Sequence, residues 1–191
     1  MQSTSISKHS FKTRASIFHD SLGQEHCDLV LSAYSESQKI DNTGPKRDNL
    51  LNTERTGWDI HKNPLANSVW KEVSYRFSQL FHDDMFHPGL EFVELNVFES
   101  WIGVSQENAV VEPHHHGACP FSWSFVFYAK IPNLHSSLNF VDFSYDHLKI
   151  KVREGDVLWF PSNIGHYSND TAPGRTVFSG NFSVSMNMKG N

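Results

Sequence analysis

Two histidines two residues apart, and a third fifty residues further on, constrain this chain more than any other feature. They sit in Glu112-Pro-His-His-His-Gly-Ala-Cys-Pro120 and at His166. On an extended strand, residues two apart leave on the same face, so His114 and His116 point together and His115 points away. His166 follows an apolar, strand-like run, Val-Leu-Trp-Phe-Pro at 157–161. Imidazoles from two distant strands meet only if the sheet curls back on itself, as in a small β-barrel with a metal in its mouth. Neutral imidazole suits Fe, Zn, Cu and Ni, and three ligands on one face leave coordination positions open. A solvated histidine cluster would share the local spacing, so the downstream residues must decide.

Composition narrows the fold. At 191 residues the chain is long enough to bury the core of one domain. Aromatic residues make up 13%, with 15 Phe and 5 Trp, which favours a sheet-rich core filled by large rings. The formal charge of −5, with no basic stripe, gives nucleic-acid binding no electrostatic support. The two cysteines, Cys27 and Cys119, lack CxxC spacing and argue against a disulfide framework or a structural zinc site. Neither an apolar leader nor a membrane-length run is visible, so a soluble, cytoplasmic protein is expected.

Along the chain, a short strand is expected over 13–18. A helix follows from Ser21 to about Gln38, with Leu22, His26, Leu29, Val30, Ala33 and Tyr34 at helical intervals and Asp20 or Ser21 as cap. The stretch 41–57 is rich in turn formers and charge, and reads as a structureless segment or a lid. Asn63-Pro64 opens a second helix striped by Leu65, Val69, Val73, Phe77, Leu80 and Phe81, ending near His87-Pro88-Gly89. From Glu91 the pattern turns extended, with strands at 92–101, 121–130, 138–141, 148–152, 157–160 and 176–184. The expected fold is mainly β. An N-terminal helical buttress (1–90) backs a jelly-roll, cupin-like barrel (91–186), both within one domain.

An ordered set of residues then carries a family likeness. The run His114-x-His116, Ser124-Phe-Val-Phe-Tyr-Ala-Lys-Ile-Pro132, Glu154-Gly-Asp-Val-Leu-Trp-Phe-Pro161, His166 and Gly174-Arg175, leading to Asn181, resembles the small 2-oxoglutarate- and Fe(II)-dependent oxygenases. Within them it is most similar to a bacterial and phage branch with an HxH motif. The resemblance covers residues 92–184, about half the chain. It implies a double-stranded β-helix in which His114, His116 and His166 hold Fe(II). It also implies that Arg175, nine residues beyond His166, binds the distal carboxylate of 2-oxoglutarate, with Tyr128 and Asn181 as further contacts. A permanently charged, two-pronged guanidinium suits that carboxylate. Ascorbate to maintain the iron belongs to the same expectation.

The departures from the family pattern are specific. Its usual carboxylate, two residues after the first His, is His116 here, and Glu112 shares the parity of His114 and His116. The Ser often found two residues after the Arg is Val177, leaving Ser179 or Thr176 in its place. Trp58 and Trp101 are large enough to wall a pocket. The leading expectation is a dioxygenase that couples decarboxylation of 2-oxoglutarate to hydroxylation of an unidentified small-molecule or peptide substrate, releasing succinate and carbon dioxide. The alternatives are a cupin-like three-His dioxygenase or isomerase that does not use 2-oxoglutarate, and a jelly-roll binding module.

Overall fold

A computed structural model describes residues 7–10, 16–38, 50–84, 90–117, 122–133, 136–142, 145–169 and 172–188. The elements run β1 (Ser7–Ser10), β2 (Ser16–Ser21), α1 (Gln24–Gln38), β3 (Leu50–Arg55), a 3-10 turn (Ile60–Lys62) and α2 (Pro64–Asp84). Then come β4 (Leu90–His114), β5 (Ser122–Lys130), β6 (Ser137–Val141), β7 (His147–Lys151), β8 (Asp156–Pro161), β9 (Gly165–Ser168) and β10 (Thr176–Met188). Antiparallel pairing orders them β1-β2-β8-β5-β10-β4-β9-β6-β7, with β3 added to β4. The result is a sheet curled into a double-stranded β-helix backed by two helices. No helix among the described residues is long and apolar enough to cross a membrane.

The strand period divides the core in two. On β5, Trp123, Phe125 and Phe127 join Val157 and Trp159 of β8 in a cluster against the helices. Their neighbours Val126, Tyr128, Leu158 and Phe160 join a second cluster inside the curled sheet, with Leu138, Phe140 and Ile150. Strands buried on both faces read as continuous apolar runs, which is why 121–130 and 157–161 are so legible.

The helix α2 covers the outer cluster. The Asn63 side-chain oxygen accepts from the backbone N–H of Leu65 (2.9 Å) and Ala66 (3.3 Å), with Pro64 at the first helical position. Its buried stripe is Ala66, Val69, Trp70, Val73, Phe77 and Leu80. Phe77 meets Phe182 and Trp123 edge-on at 4.9 and 5.1 Å. Each such pair contributes about 0.5–1.5 kcal/mol beyond its area. Asp20 is not a helix cap: it lies in β2, and Arg76 of α2 donates to its carboxylate at 3.0 Å. The first helix starts at Gln24, because Asp20 and Ser21 are still paired with β8.

Three further expectations change. The segment 41–57 is not structureless throughout, since Leu50–Arg55 pairs with β4 (residues 41–49 lie outside the described residues). Of the strand expected at 13–18, residues 13–15 fall outside the described residues, and the strand runs on to Ser21. The strand expected to stop at Trp101 continues to His114. It pairs with β10 as far as Val104 and with β9 at Val111 and His114, so one strand serves both layers. Between them, residues 106–109 loop out of the β3 ladder, and Asn108 takes a left-handed backbone (φ 56°). Asn tolerates that region better than most residues.

Gly155 ties the layers together behind the site. Its N–H donates to the Tyr128 carbonyl and its own carbonyl accepts from Leu22, both at 2.8 Å. Its φ is +88°, and a Cβ there would stand 2.8 Å from the Leu22 oxygen, so the position requires glycine.

The buried Asp20–Arg76 pair makes a stability prediction. Only 3% of the Asp20 side chain is exposed, so removing its partner leaves a carboxylate uncompensated. Arg76→Met should cost roughly 3 kcal/mol in urea unfolding, near the lower end for broken buried pairs. A loss below about 0.5 kcal/mol would be that of an exposed pair and would remove the pair as the α2–β2 tie.

Candidate functional site

His114 is the last residue of β4, and the register places it directly opposite His166 of β9. Their ring centroids are 4.3 Å apart. His116 lies just beyond the strand, where its N–H donates to the Ser162 carbonyl at 2.8 Å. That bond turns its ring back, so that His116 Nε2 is 3.3 Å from His166 Nε2. The shared face expected from strand parity is therefore reached by a turn at His115-His116, not by a continuing strand. One ligand atom from each of the three lies within 4.8 Å of the others.

Backbone carbonyls orient two of these rings. His114 Nδ1 donates to the Glu112 carbonyl at 2.7 Å, and His166 Nδ1 to that of Ile164 at 3.2 Å. With the proton on Nδ1, the lone pair is on Nε2, the usual arrangement of metal-ligating histidines. Phe160 packs against the His166 ring at 4.7 Å, and Trp101 lies 5.9 Å from that of His116. His115 is exposed, and its Nδ1 accepts from Gly117 N–H at 3.1 Å. Glu112 is exposed too, and contributes its carbonyl rather than its carboxylate.

The rings open onto a cavity of about 70 Å³ that Arg175 and Asn181 also line. Arg175 is 4% exposed and follows a turn in which Gly174 has φ +81°. Gly174 donates to the Ser105 carbonyl at 2.8 Å, and Ser105 donates back to that of Arg175 at 2.9 Å. This clamp to β4 directs the side chain inward. There one terminal nitrogen donates to Ser168 Oγ at 3.2 Å, and the guanidinium lies 5.1 Å from the centre of the Tyr128 ring. Arg175 Nε and the Tyr128 hydroxyl are buried without a hydrogen-bond partner among the described residues. Burial pushes the Tyr128 phenol up, and the Arg175 charge beside it opposes that shift. A buried cation next to an unsatisfied hydroxyl fits a carboxylate, which would accept from both. The residues present thus suit both an imidazole-bound metal and a keto-diacid.

Asn181 is fully buried, and its carbonyl accepts from Ser124 Oγ at 2.6 Å while its amide donates to Glu99. One N–H and one lone pair remain to it. Val177 and Ser179 line the cavity, whereas Thr176 turns its hydroxyl to the Gly174 carbonyl. Sequence reasoning missed Thr53 and Arg55, which line the cavity from β3, and Ser168, which holds Arg175. The alternation Leu51, Thr53, Arg55 was the available signal, obscured by the turn formers preceding it.

The sequence matches no protein-family model and no curated protein. Solved structures share its fold. A Pseudomonas putida prolyl-4-hydroxylase is 13% identical with a TM-score of 0.59, over 94% of this chain and 91% of that one. The non-heme alpha-ketoglutarate-dependent carbocyclase SnoK from nogalamycin biosynthesis is 14% identical with a TM-score of 0.63, over 87% and 79%. HygX from Streptomyces hygroscopicus, solved with nickel and 2-oxoglutarate bound, is 14% identical with a TM-score of 0.55, over 87% and 82%. The architecture is thus the jelly-roll of structurally known 2-oxoglutarate-dependent enzymes.

Burial lowers the His166 pKa well below its usual 6.5, and the adjacent His114 and His116 add to the shift. The unfolded chain takes up a proton there as pH falls through 6.5, while the folded chain resists it. Metal-free protein should therefore lose stability on acidification below that value. In His166→Gln the loss should be shallower, the remainder coming from His9 and His61, which burial also lowers. Urea midpoints across the pH range, in chelator, measure it. Equal slopes in both proteins would show that His166 protonates freely in the fold.

Proposed function

We propose that this chain is an Fe(II)- and 2-oxoglutarate-dependent oxygenase that hydroxylates a substrate at an unactivated C–H bond. One observation carries the reading: the buried Arg175 guanidinium lines the same cavity as three converged imidazoles, with the buried Tyr128 ring 5.1 Å from it. His114, His116 and His166 would hold the iron, and Arg175 with Tyr128 the distal carboxylate of 2-oxoglutarate. When bound, iron and cosubstrate supply dioxygen activation, with one oxygen atom leaving in succinate beside carbon dioxide and the other entering the product.

The chain's own residues bind and exclude water. The carbonyls of Glu112 and Ile164 fix the ring tautomers. Phe160 packs beside the buried His166 and Trp101 beside the half-buried His116. Ser168 passes its own hydrogen to the Ser137 carbonyl at 3.0 Å, so its oxygen is held ready to accept from Arg175. Asn181, held by Ser124 and Glu99, would set the cavity wall nearest the cosubstrate.

A three-His set without a carboxylate also occurs to be expected in a cupin-like metalloenzyme that needs no keto acid, and the roles of Arg175 separate the two. Removing one partner of a buried charge pair costs roughly 2–5 kcal/mol. Arg175→Gln should therefore weaken 2-oxoglutarate binding to anaerobic Fe(II) protein by about thirty- to several-thousand-fold, at about 1.4 kcal/mol per tenfold. Arg175→Lys should recover part of it, because an ammonium cannot make the two-pronged contact. Iron affinity should stay unchanged in both, fall steeply in His114→Ala, His116→Ala and His166→Ala, and survive in His115→Ala. Unchanged 2-oxoglutarate affinity in Arg175→Gln would leave the cupin-like reading in its place.

A further inference from the structure

Of the three clustered histidines, His116 lies outside the strand ladder, and a row of buried polar side chains leads to the residue that holds it. Its N–H donates to the Ser162 carbonyl at 2.8 Å. Ser162 stands, buried, in the turn between β8 and β9. Its own N–H donates to the Ser122 carbonyl at 3.1 Å, and its Oγ lies 3.0 Å from Ser124 Oγ on β5. Ser124 donates to Asn181 Oδ1 on β10 at 2.6 Å, and the Asn181 amide donates to Glu99 on β4. Register sets these side chains in line, because Asn181 is paired with Ser124 on one side and with Glu99 on the other. The row therefore leaves β4 at Glu99, crosses β10 and β5, and returns to the end of β4 at His116.

Donor counting fixes the direction of every hydrogen in the row. A hydroxyl has one hydrogen, and that of Ser124 is committed to Asn181. The Ser162 hydroxyl must then donate to Ser124. The Asn181 oxygen faces the Ser124 hydroxyl and its NH2 faces a carboxylate, whereas the reverse orientation would set two acceptors against each other at Glu99. Hydrogens thus run one way, from Ser162 to Ser124 to Asn181, and end on the Glu99 carboxylate. Ser124, Ser162 and Asn181 are all buried, where a broken link leaves an orphaned donor or acceptor.

From these contacts we infer that Ser162 and Ser124 are positioning residues for His116, fixing where its imidazole stands relative to the other two. Both act through the turn that carries the Ser162 carbonyl, and not on the metal. The inference rests on the reading of the three histidines as a metal site. It also gives Ser124, which opens one of the runs that carry the family likeness, a task besides holding Asn181.

The test reads Co(II) binding by the metal-free protein, because neutral imidazoles take divalent transition metals and the visible absorption of cobalt reports the geometry of its ligands. Ser162→Ala should bind Co(II) about 10–100-fold more weakly than wild type, the usual cost of losing a partner behind a metal-bound histidine, with a changed absorption band. Ser124→Ala should lose affinity in the same range. It already strips Ser162 of its acceptor, so the double variant should lie within about twofold of Ser124→Ala. Ser162→Cys keeps a weak donor and should recover part of the affinity. Ser136→Ala removes an equally buried hydroxyl outside the row and should leave affinity and band unchanged.

Wild-type affinity and spectrum in Ser162→Ala would overturn the inference, as would losses in the two serine variants that multiply in the double variant. A loss in Ser136→Ala equal to that in Ser162→Ala would do so too, by assigning the effect to core packing. Should wild type bind no Co(II), the metal reading fails alone. NMR cross-peaks between the rings of His116 and Trp101, whose centroids are 5.9 Å apart, then judge the positioning in the metal-free protein. They should be present in wild type and lost in Ser162→Ala, and their persistence there would overturn it. Should Ser162→Ala not fold, Ser124→Ala and Ser162→Cys decide against the same control.

Discussion

The site depends on one register, that of His114 opposite His166. The pairing exists because β4 is long enough to serve two layers, running with β10 through its first half and meeting β9 at its end. Side chains alternate strictly along a strand, so a slip of one residue in either partner would carry one imidazole out of the cavity. The loop-out at 106–109, with Asn108 in the left-handed region, lies between the halves and sets that register. His116 is the exception, since it joins the cluster through a backbone bond to Ser162 and not through the ladder.

Around that register the cavity is electrostatically one-sided. Its titratable lining is all basic, and the innermost histidine is held neutral by burial. The buried Arg175 Nε and the Tyr128 hydroxyl beside it have surrendered water without finding a partner among the described residues. Such strain is commonly found where ligands bind. The helices supply the rigid backing. Aromatic rings of α2 and the sheet interlock, and Asp20 to Arg76 fastens the same helix to β2. The cost of keeping polar groups unsatisfied in the cavity is offset by this packing on the opposite face.

Much of the fold was legible. Strands β5 and β8 announce themselves as apolar runs because both of their faces are buried, and α2 because its stripe and its Asn-Pro start agree. The histidine set was legible from residue type and spacing and Arg175 from the family resemblance, and the cavity brings them together. Other elements were not. β9 is only Gly165–Ser168, a polar stretch whose pairing comes from its neighbours β4 and β6. β3 follows a run of turn formers, and as an edge strand it needs β4 to form at all. Misreading it concealed Arg55, the residue that enlarges the basic character of the site.

By itself, the sequence determined which side chains are candidates for metal and anion binding, because ligand type, charge and aromatic content are properties of single residues and short patterns. It also determined the curled sheet, since distant histidines can converge in few other ways. Only the tertiary structure decided which of these groups share a cavity, which tautomers the imidazoles carry, and that a second arginine lines that cavity from β3. Those outcomes follow from register, backbone hydrogen bonds and long-range pairing. The tautomers follow from carbonyls two residues away once the strands are placed, whereas the shared cavity depends on residues far apart in the chain, and no local pattern encodes a contact whose partner lies fifty residues away.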